Sequence, residues 1–166
     1  MFLKNYTSGV PVAQTLARIE KVLIRCGVQG ITKEYLGTNG LVTALMFHLE
    51  IPGQPAATVR LAPKIEAAQR SLWVNYAGSD LQPDGKLKWN SQKRQTLKDF
   101  AEQAERTAWR LVQDRVEIEM SLIELKQRDV VQAFMADVWD GSQTFYESLR
   151  ASNFRGLLPE KTGGAE

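Results

Sequence analysis

One cysteine, Cys26, and one histidine, His48, stand among 166 residues. A lone cysteine excludes an internal disulfide framework and any cysteine-rich zinc site. A lone histidine excludes His-pair metal centres and leaves no second imidazole for acid–base work. Cys26 closes an apolar helix stripe and reads as a buried structural thiol; His48, in a strand beside Met46 and Glu50, reads as packing or surface, and nothing local supports a Cys26–His48 dyad. No G-x-G-x-x-G or G-x-x-x-x-G-K-[ST] run supplies a phosphate loop. No stretch approaches the roughly 18 apolar residues of a membrane span. The longest, Leu41 to Leu49, is broken by Thr43 and His48, and Met1-Phe2-Leu3-Lys4-Asn5-Tyr6 carries no signal-peptide core. These absences lead us to expect a cytoplasmic protein of the host cell, with no membrane contact, that is not an enzyme and uses no cofactor or metal.

What is present is patterned. After an extended lead-in, Pro11 opens a helix whose Val12, Leu16, Ile19, Leu23 and Cys26 step by 4, 3, 4 and 3. Gly27 falls where a left-handed cap is needed. The period then becomes two. Ile31–Leu36 and Leu41–Ile51 read as strands joined by Gly37-Thr38-Asn39-Gly40, and Ala57–Leu61 is a third after Pro52-Gly53-Gln54-Pro55. Connections this short force antiparallel pairing. Pro63 opens a helix to about Tyr76. A loop to about Asn90 carries Pro83-Asp84-Gly85. From residue 91 to about 127 no Gly or Pro interrupts the stripe Leu97, Phe100, Ala104, Ala108, Leu111, Ile118, Leu122, Leu125; Arg115 fills its one gap of seven. One helix of about 36 residues would span roughly 54 Å. That exceeds the width of a domain of this size, so the helix should project, bend or pair with another chain, and its length favours a homodimer or a larger complex. A last helical pair is expected from Asp129 to Trp139 and Gln143 to Leu149, with Phe154, Leu157 and Leu158 packing back.

The fold class expected is therefore α+β: a three-stranded antiparallel sheet with packing helices, then a long helix and a C-terminal helical hairpin. The division expected is an α-β-β-β-α domain over 1–78, a linker at 79–90, a helical region at 91–158 and a flexible tail at 159–166.

Charge is unevenly spread. The net charge of +2 is the remainder of 13 basic against 6 acidic residues in 1–98, and 8 against 13 in 99–166. Arg18, Lys21 and Arg25 share the helix face opposite Leu16 and Leu23. Lys86, Lys88, Lys93, Arg94 and Lys98 lie within 13 acid-free residues that also hold Trp89. Cations within reach of one another, with an aromatic plane among them, suit a phosphate backbone and an unpaired base. A solvated helix face and polar loop would have the same composition. Arg18, Lys21, Arg25, Lys86, Lys88, Trp89, Lys93 and Arg94 are the candidate nucleic-acid contacts. Trp109, Arg115 and Trp139 are candidate interface residues. Asp114, Glu117 and Glu124 share one helix face and could hold Mg²⁺, but Arg110 four residues before Asp114 points to a surface ion pair instead. Ser8-Gly9-Val10-Pro11 offers a weak helix-start anion site.

Tyr6-Thr7-Ser8-Gly9-Val10-Pro11, running through Ile19-Glu20 to Ile31-Thr32-Lys33-Glu34-Tyr35, and Ala108-Trp109-Arg110-Leu111-Val112-Gln113-Asp114 with Val116-Glu117 and Leu122-Ile123, resemble a group of small proteins of bacteriophages and integrated mobile elements. That resemblance brings no activity and no functional residues, and an aromatic stands in that group where Arg115 stands here. The order helix–strand–strand–strand–helix at 11–76 is similar to that of double-stranded-RNA-binding domains. However, Pro63-Lys64-Ile65-Glu66-Ala67 has one lysine where those domains carry a basic cluster. The function expected is a non-enzymatic accessory protein that binds nucleic acid through a basic face; the alternative is a protein–protein inhibitor of a host defence complex.

Overall fold

A computed structural model of the chain describes residues 3–37, 40–51 and 53–155. The expected Thr38-Asn39 turn centre, Pro52, the packing of Leu157 and Leu158, and the tail at 159–166 lie outside the described residues. The elements are α1 (Val12–Arg25), β1 (Gln29–Leu36), β2 (Leu41–Leu49), β3 (Ala57–Leu61), α2 (Ile65–Ala77), α3 (Ala101–Glu124), α4 (Val130–Phe134), β4 (Val138–Trp139) and α5 (Phe145–Ala151). They group into two compact units, Met1–Val28 with Ala62–Gln127, and Gln29–Leu61 with Arg128–Glu166. This grouping is drawn differently from the division at residue 78, because the three hairpin-linked strands sit in the chain between two helices that share the other unit.

In the first unit, both α1 and α2 pack against α3. α1 buries Thr15, Leu16, Ile19 and Leu23. Its end is a Schellman motif: the amide of Val28 donates to Leu23 and that of Gly27 to Ile24. Cys26 is exposed at this cap, which corrects the expected buried thiol; the stripe turns to solvent in the last turn. α2 and α3 meet where Ala68 and Leu72 face Ala104 and Ala108, with Leu3, Ile65 and Phe100 around them. The lead-in, expected to be extended, instead turns at residues 4–7, with Asn5 at φ 62° and the Ser8 amide donating to its carbonyl, and this turn is bound along α3. Thr107 Oγ1 donates to the Asn5 carbonyl at 3.1 Å, and Gln103 Nε2 donates to the carbonyls of Tyr6 and Ser8 at 3.0 and 3.1 Å.

α3 starts later than the periodicity suggests. Its 24 residues, about 36 Å, follow a 3-10 turn at Leu97–Phe100. A capping box fixes the start: the Thr96 amide donates to Asp99 Oδ2 at 2.6 Å, and Thr96 Oγ1 to the same oxygen at 2.9 Å. Its buried face also differs from the expected stripe. Trp109, Gln113, Val116 and Met120 are buried, whereas Ile118 and Leu125 are exposed and Arg115 lies at the surface.

The second unit holds a fully antiparallel sheet in the order β1-β2-β3-β4. The fourth strand corrects the expected three: Thr58 pairs with Trp139 and Val59 with Val138. The expected helical hairpin is likewise replaced by a short α4, a 3-10 turn at Met135–Asp137, β4 and α5. Two β-branched or aromatic residues in a row, Val138-Trp139, favour a strand over helix continuation. A tight Asp140–Gln143 turn and a Thr144–Glu147 capping box then start α5. Leu45, Phe47, Leu49, Val59 and Leu61 are buried in the sheet. The Phe134 ring meets Phe47 edge-on at 5.4 Å between centroids. Each such apolar side chain contributes about 1.5–3 kcal/mol on burial.

Candidate nucleic-acid interface

The segment after α2 is a built hairpin rather than a free linker. Leu81 and Leu87 form an antiparallel bridge. The Gly85 amide donates to the Gln82 carbonyl at 3.0 Å and the Gln82 amide to the Lys86 carbonyl at 2.8 Å. Gly85 has φ 81°, so Pro83-Asp84-Gly85 makes a turn closed by a left-handed residue, a conformation glycine takes without strain. Asp84 Oδ1 accepts the Lys86 amide at 3.0 Å. The returning strand is tied down by the Lys88 amide on the Asp80 carbonyl (2.8 Å) and by Ser91 Oγ on Asp80 Oδ2 (2.8 Å).

The residues that follow dock on α2. Tyr76 and Phe100 rings lie 5.4 Å apart, with Trp73 6.3 Å from Phe100. The Tyr76 hydroxyl accepts the Arg94 amide at 3.2 Å, and Gln69 Nε2 donates to the Leu97 carbonyl at 2.9 Å. Lys93 is committed to this anchor. Its Nζ donates to the Ala77 carbonyl at 2.5 Å, lies 3.8 Å from Asp80 Oδ2 and sits 5.6 Å over the Tyr76 ring. A cation on the last carbonyls of α2 complements the helix dipole. Lys93 therefore holds the hairpin, and its charge is already engaged.

Between these anchors stands Trp89, 95 % exposed. Lys86, Lys88 and Arg94 are exposed beside it in sequence, and among the described residues none of the three is in an ion pair. Arg18, Lys21 and Arg25 are exposed on α1. The two basic groups are carried by different helices of the unit, α1 on α3 and the hairpin on α2.

The candidate interface residues separate. Trp109 is wholly buried, so it belongs to the core and not to a surface. Trp139 is half-buried in β4, with the Arg60 guanidinium 4.8 Å over its ring. Arg115 is exposed and borders an open groove between α2 and α3.

Two of the three acids expected on one face of α3, Asp114 and Glu117, already have partners. Asp114 accepts Lys4 Nζ at 2.6 Å and Asn5 Nδ2 at 2.9 Å, with Arg110 Nε at 3.8 Å. Partial burial pushes its carboxyl up, but the hydrogen bonds from Lys4 and Asn5 and the charges of Lys4 and Arg110 outweigh it and hold it below the usual carboxylate range. Glu117 accepts Gln113 Nε2 at 2.5 Å. Among the described residues no group of three or more His, Cys, Asp or Glu could hold a metal ion.

One polar arrangement was not legible from local motifs. On one face of the sheet Arg60 donates to Glu34 Oε2 from Nε (3.1 Å) and Nη2 (2.7 Å) while covering Trp139. His48 Nδ1 lies 3.2 Å from Thr58 Oγ1, and its ring is packed so closely on Gly30 that a Cβ there would fall 2.3 Å from Cδ2. The signal was the alternation of strand residues, which sets Met46 opposite Arg60 and His48 opposite Thr58.

No protein-family model, curated protein or solved structure matches the chain. Among the described residues, no helix is long and apolar enough to cross a membrane.

Proposed function

We propose that the protein is a non-enzymatic accessory protein of a bacteriophage or integrated mobile element that binds single-stranded nucleic acid in the host cytoplasm. Trp89 carries this reading. An indole left 95 % exposed on a hydrogen-bonded hairpin forgoes about 2–3 kcal/mol of apolar burial, which a stacked base restores. Base–aromatic stacking is worth about 1–3 kcal/mol and tolerates any sequence. Lys86, Lys88 and Arg94 supply the phosphate contacts, and Arg18, Lys21 and Arg25 extend the basic surface. Lys93 drops out of the contact set because it holds the hairpin to α2.

The test uses Trp89 as its own reporter, since Trp73 and Trp109 are buried and Trp139 is half-buried. Single-stranded oligonucleotide should quench and shift the exposed-tryptophan emission. Contacts from the three hairpin cations alone give a log–log salt slope of about −2, from about 0.7 counterion released per phosphate. Trp89→Ala should lose about five- to 150-fold in affinity, the range that stacking energies of about 1–3 kcal/mol imply. Unchanged fluorescence and no binding at about 50 mM salt, where phosphate contacts are strong, would end this reading.

A protein partner is the second reading, as in an inhibitor of a host defence complex. The same observation favours it, because tryptophan is enriched among the residues that carry most of the binding energy of protein interfaces. Co-purification of a host protein that persists after nuclease treatment and is lost in Trp89→Ala would select it.

A further inference from the structure

Trp89 stands in a turn of its own. The Ser91 amide donates to the Lys88 carbonyl at 2.9 Å, which closes Lys88-Trp89-Asn90-Ser91 with the indole at its first corner. Both ends of that turn are bonded to Asp80, the last residue of the 3-10 turn Gly78–Asp80 that follows α2. Lys88 donates from its amide to the Asp80 carbonyl, and Ser91 from its hydroxyl to Asp80 Oδ2, each at 2.8 Å. The contacts then close a ring. Ser91 Oγ accepts the Lys93 amide at 3.2 Å, and Lys93 Nζ comes back to 3.8 Å from Asp80 Oδ2. Electrostatics alone disfavours an acid at this place. Asp80 sets a carboxylate against residues 86–98, which contain no acid of their own, and so repels any polyanion that those cations attract.

We propose that Asp80 is the positioning residue of the stacking site: it touches no ligand, holds both ends of the turn that carries Trp89, and keeps Lys93 on α2 and off the phosphates. This rests on the reading of Trp89 as a platform for an unpaired base. A base stacks on an indole only once the indole is placed, and a turn already closed in the free protein spares binding that ordering step. The two effects of Asp80 therefore push affinity in opposite directions. Its charge weakens phosphate binding, whereas its bonds favour stacking. Substitutions that separate charge from bonds read the positioning directly.

The test measures binding of a labelled oligothymidylate to the full chain across a salt series. Ser91→Ala changes no charge and should lose about two- to twelvefold in affinity, the ordering cost of one side chain. Its salt slope should not change, because no phosphate contact goes. Asp80→Ala should also lose affinity, although it removes a negative charge. Asp80→Asn keeps an oxygen for the Ser91 hydroxyl and should bind at least as tightly as the wild-type protein. The free protein gives a second readout. The heteronuclear NOE of the Trp89 indole nitrogen should fall in Ser91→Ala and Asp80→Ala and hold in Asp80→Asn, with that of Trp109 in the core unchanged in all three. Tighter binding by Asp80→Ala overturns the proposal. So does a salt slope made shallower by about 0.7 in Ser91→Ala, which reports a lost cation contact instead. A wild-type protein that binds no oligonucleotide at about 50 mM salt ends the stacking reading itself. The indole NOE then decides alone whether Asp80 holds the turn, and equal values in the wild-type protein and all three variants overturn it.

Discussion

Asp114 shows how one side chain ties a turn outside the helices and strands to the fold. Residues 3–8 have no helix or strand of their own, yet Lys4 and Asn5 both donate to this carboxylate and Thr107 and Gln103 take up the neighbouring carbonyls. Because the folded-state carboxyl titrates below its ordinary range, its contribution is fully present above about pH 4 and is lost as the pH falls through the depressed value. Amide protection at residues 4–8, measured against the intrinsic exchange rate at each pH, should therefore fall below about pH 4 before that of the rest of the first unit. Asp114→Asn should remove that acid step while keeping the Asn5 contact in part. An acid transition that survives the substitution would place its origin elsewhere. Residue-scale roles of this kind were only partly readable in the sequence. Arg110 four residues before Asp114 signalled an ion pair, but the stronger partners Lys4 and Asn5 are about 110 positions away, where no local spacing rule reaches.

At the scale of elements, three helices end alike. α1, α3 and α5 each close with a Schellman motif, with Gly27, Lys126 and Asn153 in the left-handed position. Glycine and asparagine take that conformation readily, whereas lysine pays about 1 kcal/mol or more for its Cβ. Lys126→Gly should accordingly raise unfolding stability by about 1 kcal/mol, read as a higher urea midpoint at unchanged m-value; a lower midpoint would show that the lysine side chain does more than cap. The Gly27 ending could be read directly from sequence, because glycine advertises it. The Lys126 ending could not, since nothing in Glu-Leu-Lys-Gln marks a left-handed residue. Starts were similar. Thr96-Leu97-Lys98-Asp99 and Thr144-Phe145-Tyr146-Glu147 are capping boxes, and reading the first would have moved the start of α3 from 91 to its true neighbourhood. Between 91 and 96, good helix formers are instead held extended by Tyr76, Asp80 and the end of α2, a tertiary override of propensity. The hairpin, by contrast, was visible in Pro83-Asp84-Gly85, although not the hydrogen bonds to Asp80 on either side of Trp89.

For the whole molecule, α+β class, an antiparallel sheet and a long α3 were all legible from period and connection length. The fourth strand was not, because two residues at Val138-Trp139 are too short to show alternation, and their pairing with β3 is some 80 positions distant. Nor was the grouping of the chain. A polypeptide of residues 1–78 holds the three strands in sequence, but lacks the α3 surface on which α1 and α2 both pack and the β4 and Phe134 that belong with the sheet. That fragment should show no cooperative thermal transition, and a sharp one would mean that its first five elements close a core unaided. The same threading orders events during synthesis. α1 leaves the ribosome with Leu16, Ile19 and Leu23 on one face, while the first turn of α3 is still some 75 residues from completion. At about 5–20 residues per second that face waits about 4 to 15 seconds for its partner helix, an interval in which a nascent-chain chaperone has a defined apolar target.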